Sequence, residues 1–273
     1  MIGGSLMKFE RRSVFELVTV LAAGLVILFI IAPLAGLALN TSIGPLIEAV
    51  HSNVVMNSIW TTLWTSILAT FIFSIFAVPF AYLMARKNFP FKRLVSGIID
   101  LPVVIPHSAA GIALLCVISR GTAFGNFANS IGINFVDNPA GIMVGMAFVS
   151  LPYLINGARE GFESVPVRYE KAAYTLGASH ARVFFTISLP LAWRSILSGF
   201  VMMWGRGLSE FGAVVIIAYY PMVASVLIYN RFNTFGLKYA LPATVLFIIV
   251  CLILFVIFRA ISSMGYDTKK SRY

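Results

Sequence analysis

The chain is poor in most of what a soluble catalyst is built from. Only 11% of its 273 residues are charged, against about 25% in an ordinary soluble domain. Three histidines, two cysteines and ten acidic residues supply no His/Cys/Asp set at metal-ligand spacing and no Ser–His pairing, so no catalytic residue and no metal site are expected. Two cysteines are too few for a disulfide scaffold. Cys116 and Cys251 both fall in apolar helical runs, where small buried hydrophobes are expected. The pattern Gly-x-x-x-x-Gly-Lys-Ser/Thr is absent, so the chain has no loop of that kind to cradle ATP phosphates and is expected to bind no cofactor of its own.

What is present in excess is apolar surface. Hydrophobic residues make up 59% of the chain and the mean hydropathy is +0.92. At roughly 20 residues per crossing, about six helices fit, and the chain reads as an all-α integral membrane protein. The net charge of +10 would suit nucleic acid, but its distribution argues for the bilayer instead. Lys8, Arg11 and Arg12 precede the first apolar run. Arg86, Lys87, Lys92 and Arg93 lie in the second connection, and Arg159, Arg168, Lys171 and Arg182 in the fourth. Arg259, Lys269, Lys270 and Arg272 close the chain. The alternate connections hold only Arg120, Arg231 and Lys238, while Arg194 and Arg206 fall inside a helix. That asymmetry places both termini in the cytoplasm of a multi-pass protein of the cell membrane, and no nucleic-acid partner is needed to explain it.

Residues 1–273 read as one transmembrane domain. Helices are expected over about 14–39, 57–85, 94–119, 139–161, 191–217 and 242–262. The first is too long for a signal-peptide core and is expected to be retained. The third carries Asp100, Pro102, Pro106, His107 and Gly111. Such breaks survive in a membrane only where the freed backbone groups meet protein or water, so this helix is expected to line something wet or pack deep. Gly141/Gly145 and Gly157/Gly161 permit close helix approach. The outer segment 218–241 is too broken to span and is expected to hold a short helix near 223–232.

The longest polar-flanked interruption is the loop of about 162–190. Ser164 or Val165 caps a short helix beginning at Pro166, and Gly177 stops it. Ser179 caps a second short helix leading to Pro190. Ala172 and Ala173 leave a bare surface beside Glu170, Tyr169 and Leu176 that a partner's ridges could approach closely. An amphipathic loop lying on the headgroups fits the same residues. The spacing Glu170-x-Ala172-Ala173-x-x-x-Gly177, then Ile187-x-Leu189-Pro190, closely resembles the signature loop of permease subunits in ATP-binding cassette (ABC) importers. Lys171, between the glutamate and the alanine pair, is the one departure. Leu101-Pro102-Val103-Val104-Ile105-Pro106 and Arg206-Gly207-Leu208-Ser209-Glu210-Phe211-Gly212-Ala213 are similar to segments of the sulfate, molybdate and tungstate group.

That resemblance implies a fold and a mechanism. Two copies of the chain would form a pore of six helices each, with a cytoplasmic coupling helix pair between helices four and five. Two separate ATPase subunits, carrying ATP and Mg, would grip the signature loops through Glu170, Ala172, Ala173 and Gly177. An extracytoplasmic binding protein would deliver a tetrahedral oxyanion, molybdate, tungstate or sulfate, or another small solute. The chain itself would be no enzyme. A different class remains open, an ion-coupled secondary transporter or channel acting alone, though the internal repeats and midplane carboxylates it calls for are not visible.

Of the ionisable residues inside expected helices, Asp100, Arg206 and Glu210 are the ones expected to serve as structural buried charges. Arg206 and Glu210, four apart on one helix, are expected to pair and fix bundle packing. An Asp100–Arg206 pair is disfavoured by their different heights. An alternative is that Arg206 attracts the oxyanion. Pro106, Ser108 and Ser209 are candidates for the substrate path. His107 is expected to be a packed helix-break residue.

Overall fold

A computed structural model describes residues 14–267, with side chains over 15–257. The basic residues expected to flank both termini, Lys8, Arg11, Arg12, Lys269, Lys270 and Arg272, lie outside the described residues.

The first helix, α1 (Val14–Leu39), is exposed over nearly its whole length and touches α13 alone to any extent. A helix apolar on every side with no protein around it is solvated by lipid. α2 (Ile43–His51) is a short amphipathic helix in the connection expected to be loop, and α3 (Asn53–Arg86) begins immediately after it. α3 is inside-out relative to a soluble helix. Its buried face holds Ser58, Thr62, Thr65, Ser66 and Thr70, while Phe71, Ile75 and Phe76 point outward. The hydroxyls are satisfied within the helix, as in Thr62 to the Ser58 carbonyl at 2.7 Å and Thr70 to Ser66 at 2.8 Å. Small side chains bring neighbouring backbones close, and lipid accepts the large apolar ones.

The expected third helix is two. α4 (Lys92–Val104) and α5 (His107–Ile118) meet at Ile105-Pro106 with a bend of 114°. Pro106 lacks the N–H that would continue the helix and forces its predecessor into an extended conformation, ψ 148° at Ile105. α6 (Ala123–Ser130) follows in the next connection, capped by Thr122, whose hydroxyl accepts from the Gly125 N–H at 3.0 Å.

α7 (Pro139–Ser164) is the central helix, buried between α3 and α10. The glycine pairs act as the spacing suggests. A Cβ at Gly157 would come within 3.0 Å of the Gly199 Cα on α10, and one at Gly161 within 2.6 Å of the Ser195 Cβ. α8 (Val167–Thr175) and α9 (His180–Val183) form the short helix pair expected between the fourth and fifth spans. α9 is not a free short helix as expected. It runs through a π-turn at Phe184–Ser188 into α10 (Leu189–Leu208), so 180–208 is one continuous span. The π-turn lies one residue ahead of Pro190, where a proline ring clashes with the preceding turn and a wider turn relieves the crowding.

The expected fifth helix is also broken. It ends at Leu208, and α11 (Gly212–Ile217) starts after a kink at Ser209–Phe211. Arg206 and Glu210 therefore do not share a helix. α12 (Ala224–Phe235) is the short helix expected near 223–232, and its Ala224 N–H is capped from another element by the Thr62 hydroxyl at 2.8 Å. α13 (Leu237–Asp267) starts directly after Gly236, five residues before the expected position. Five described helices are long and apolar enough to cross a membrane, and the bent α4–α5 pair makes a sixth if taken as one span. The cysteines are not buried as expected: Cys116 is exposed on α5 and Cys251 half-buried on α13. An apolar run in such a chain faces lipid as readily as core, so apolarity alone does not locate a side chain.

Candidate functional site: a short helix pair and two facing helix breaks

At the end of the bundle where α3 closes and α10 begins, α8 is tied to the bundle through one carboxylate. Glu170 is buried, 4% exposed, and does not join the bare outer surface assigned to it from sequence. Its Oε1 accepts from Arg86 Nε at 2.8 Å and from the Ser188 hydroxyl at 2.7 Å, and the Tyr82 hydroxyl lies 3.4 Å from Oε2. Arg86 also donates from Nη2 to the Val165 carbonyl at 2.9 Å. The end of α3, the α7–α8 corner, α8 and the π-turn thus converge on one ion pair whose side chains are 10% and 5% exposed. Beneath it Tyr82, Phe162 and Phe184 form an aromatic cluster, with centroids 5.2, 5.0 and 6.0 Å apart. Sequence reading placed Arg86 among the inner-side charges and left Ser188 out. An Arg at the last turn of a long helix, with few carboxylates nearby to pair with, was the available signal.

The outer face of α8 is what projects. Lys171, Ala172, Leu176 and Gly177 are exposed, Ala173 is half-buried, and Leu176 at 89% is the most exposed large hydrophobic residue among the described residues. Gly177 ends the helix as expected, with φ +81°. Its N–H bonds the Tyr174 carbonyl at 3.0 Å and the Ala178 N–H reaches Ala173, also at 3.0 Å, which is the Schellman arrangement. No atom would touch a Cβ at Gly177, so the glycine is required for its backbone and not for space. Ser179 caps α9, accepting from the Arg182 N–H at 3.3 Å, and Tyr174 packs edge-on to His180 at 4.9 Å. Ser164 does not cap α8. It closes α7 with a bond to the Gly161 carbonyl, and Pro166 takes the capping position.

Within the bundle, the two helix breaks face each other. A Cβ on Gly212 would lie 2.7 Å from the His107 Cβ and 3.2 Å from the Ser108 nitrogen. Arg206, from the last turn of α10, reaches into this junction. Its Nη2 is 3.0 Å from Glu210 Oε2, and 2.8 and 3.0 Å from the two imidazole nitrogens of His107. Arg206 Nη1 is 3.5 Å from the Ser209 hydroxyl. Glu210 is fully buried and pinned: Oε1 accepts the Ala213 N–H at 2.9 Å, and its carbonyl accepts from Ser225 at 2.8 Å. Pro106, Ser108 and Ser209 are exposed beside the cluster. His107 is therefore part of this constellation and more than a packing residue. Asp100 is not; it is half-buried lower down, accepting from Asn156 at 2.7 Å.

Residues 77–263 match the family model described as the binding-protein-dependent transport system inner membrane component. The chain belongs to this family. The permease is 44% identical over 214 residues to the molybdate/tungstate transport system permease protein WtpB of Pyrococcus abyssi, covering 78% of this chain and 81% of that one. It is 39% identical over 250 residues to the protein of the same name from Methanocaldococcus jannaschii, covering 92% and 98%. Its fold matches a solved bacterial ABC transporter involved in the import of the acidic polysaccharide alginate, with TM-score 0.72 over 92% of this chain and 96% of that one at 17% identity. The protein is thus a multi-pass inner-membrane permease subunit of an ABC transporter. Bond-making chemistry is not its task, and ATP hydrolysis belongs to a separate subunit.

Proposed function

We propose that this permease imports a tetrahedral oxyanion, molybdate or tungstate, as a homodimer with both termini cytoplasmic, driven by two ATPase subunits and fed by an external binding protein. The observation that carries the cargo is the 44% identity to a molybdate/tungstate permease. The coupling role rests on α8: an exposed Leu176 and Ala172 on a short helix whose inner side is riveted through Glu170 to α3 and to the π-turn that leads into α10. A push on that outer face is transmitted to the spans through a buried ion pair and an aromatic cluster instead of being lost in a flexible loop. Glu170 thereby transmits the motion, while Ala172, Ala173, Leu176 and Gly177 form the contact.

The test is uptake into proteoliposomes holding the permease, its cognate ATPase and the binding protein. Molybdate and tungstate accumulate with ATP, sulfate less, and an ion gradient without ATPase moves none of them. Ala172→Arg on the exposed face abolishes pull-down of the ATPase while the permease remains folded. Uptake driven by an ion gradient alone would overturn the reading in favour of a secondary transporter.

A further inference from the structure

The cluster at the facing breaks has an arrangement that packing alone does not explain. Arg206 and His107 are partly exposed, with side chains 21% and 36% open, whereas Glu210, the counter-charge to Arg206, is fully buried. A guanidinium in a membrane span does not face lipid; it faces protein or water. Exposed Pro106, Ser108 and Ser209 surround it, at the level where both spans give up helical backbone bonds. α5 begins there with no side chain capping its first turn.

We infer that Arg206, His107 and Ser209 form a passing site for the oxyanion, with Glu210 as a fixed counter-charge that keeps the site weak. This rests on the proposed cargo. An uncompensated guanidinium in a low-dielectric passage would hold a dianion too strongly for turnover. Glu210 prevents that without competing for the cargo. The Ala213 N–H and the bond from Ser225 to its carbonyl keep it from swinging outward. A passing anion meets the Arg206 and His107 donors first and the carboxylate only beyond them. The net field is that of a dipole, which attracts at contact and fades quickly with distance. Binding that permits entry and still permits exit is what a conduction path requires.

The decisive variants remove charge in two ways. Arg206→Gln/Glu210→Gln deletes both members of the pair together and leaves no buried unpaired charge, so it folds and assembles. In proteoliposomes of the full complex, uptake of molybdate per ATP hydrolysed falls about tenfold or more, from loss of charge-assisted donors, while binding-protein-stimulated ATP hydrolysis is retained. Glu210→Gln alone leaves Arg206 uncompensated, and the purified complex retains molybdate through desalting where wild type releases it. If the double variant takes up molybdate at the wild-type ratio, the cluster is packing only and the inference falls while the proposed cargo stands. If uptake, assembly and ATP hydrolysis decline together, the inference falls likewise. If the wild type moves no oxyanion, the proposed function and this inference fall together.

Discussion

The protein contains two Arg–Glu pairs that look alike on paper and behave as opposites. Arg86–Glu170 at 2.8 Å joins residues 84 apart in sequence and is closed to solvent on both sides. Arg206–Glu210 at 3.0 Å joins residues four apart, with one partner sealed and the other open. The first has its charges and hydrogen-bonding capacity committed inward, to Ser188, Tyr82 and the Val165 carbonyl. In the second the carboxylate is sealed and held, while Arg206, engaged through Nη2 with Glu210 and His107, keeps its side chain 21% open. A pair closed on both sides ties elements together; a pair open on the cation side leaves a donor for something that comes and goes. The distances are nearly equal, so the difference lies in what surrounds each pair.

That contrast can be broken, starting with the largest effect. Glu170→Ala strands Arg86 in a buried site and costs about 3–5 kcal/mol. Thermal unfolding of the purified permease in detergent reads this loss, and ATPase stimulation disappears with it. Ser188→Ala removes one donor from the buried carboxylate and costs about 1.5–3 kcal/mol, with partial loss of ATPase coupling. Gly177→Val forces a β-branched residue to φ +81° and costs about 1–2 kcal/mol. No neighbour is displaced, so the damage appears in ATPase pull-down more than in melting temperature. Ser209→Ala, on the open side of the second pair, leaves stability within about 0.5 kcal/mol and is read only in uptake. A Ser209 variant that melts as early as the Glu170 variant would erase the distinction between a closed and an open pair.

The loop of α8 and α9 was the more legible of the two regions. Its helix stop at Gly177 and the cap at Ser179 are local events, governed by backbone conformation within a few residues, and they fell where the spacing put them. Glu170 was misplaced onto the outer surface. Its direction is set by Arg86 and Ser188, which reach it from other elements. The breaks were legible in part. Pro106 announced the first, since a proline removes a donor wherever it stands. Nothing in Ser209-Glu210-Phe211 announces the second, because that kink is held by the Ser225 hydroxyl and by close packing of Gly212 on His107. His107 was read as packing because its partners lie 99 and 103 positions away.

The sequence by itself determined that this chain lives in a membrane and where the loop of α8 and α9 turns. Hydropathy and backbone preference are each decided within a window of a few to some twenty residues. Only the tertiary structure decided that α3 hides its hydroxyls and shows its phenylalanines. It also decided that Glu170 points inward and that two broken helices bring Arg206, His107 and Glu210 to one point. The physical reason is that lipid dissolves apolar side chains as readily as a core does. Hydrophobicity then no longer says which face is inside, and small residues, hydroxyls and paired charges across the chain settle it through packing.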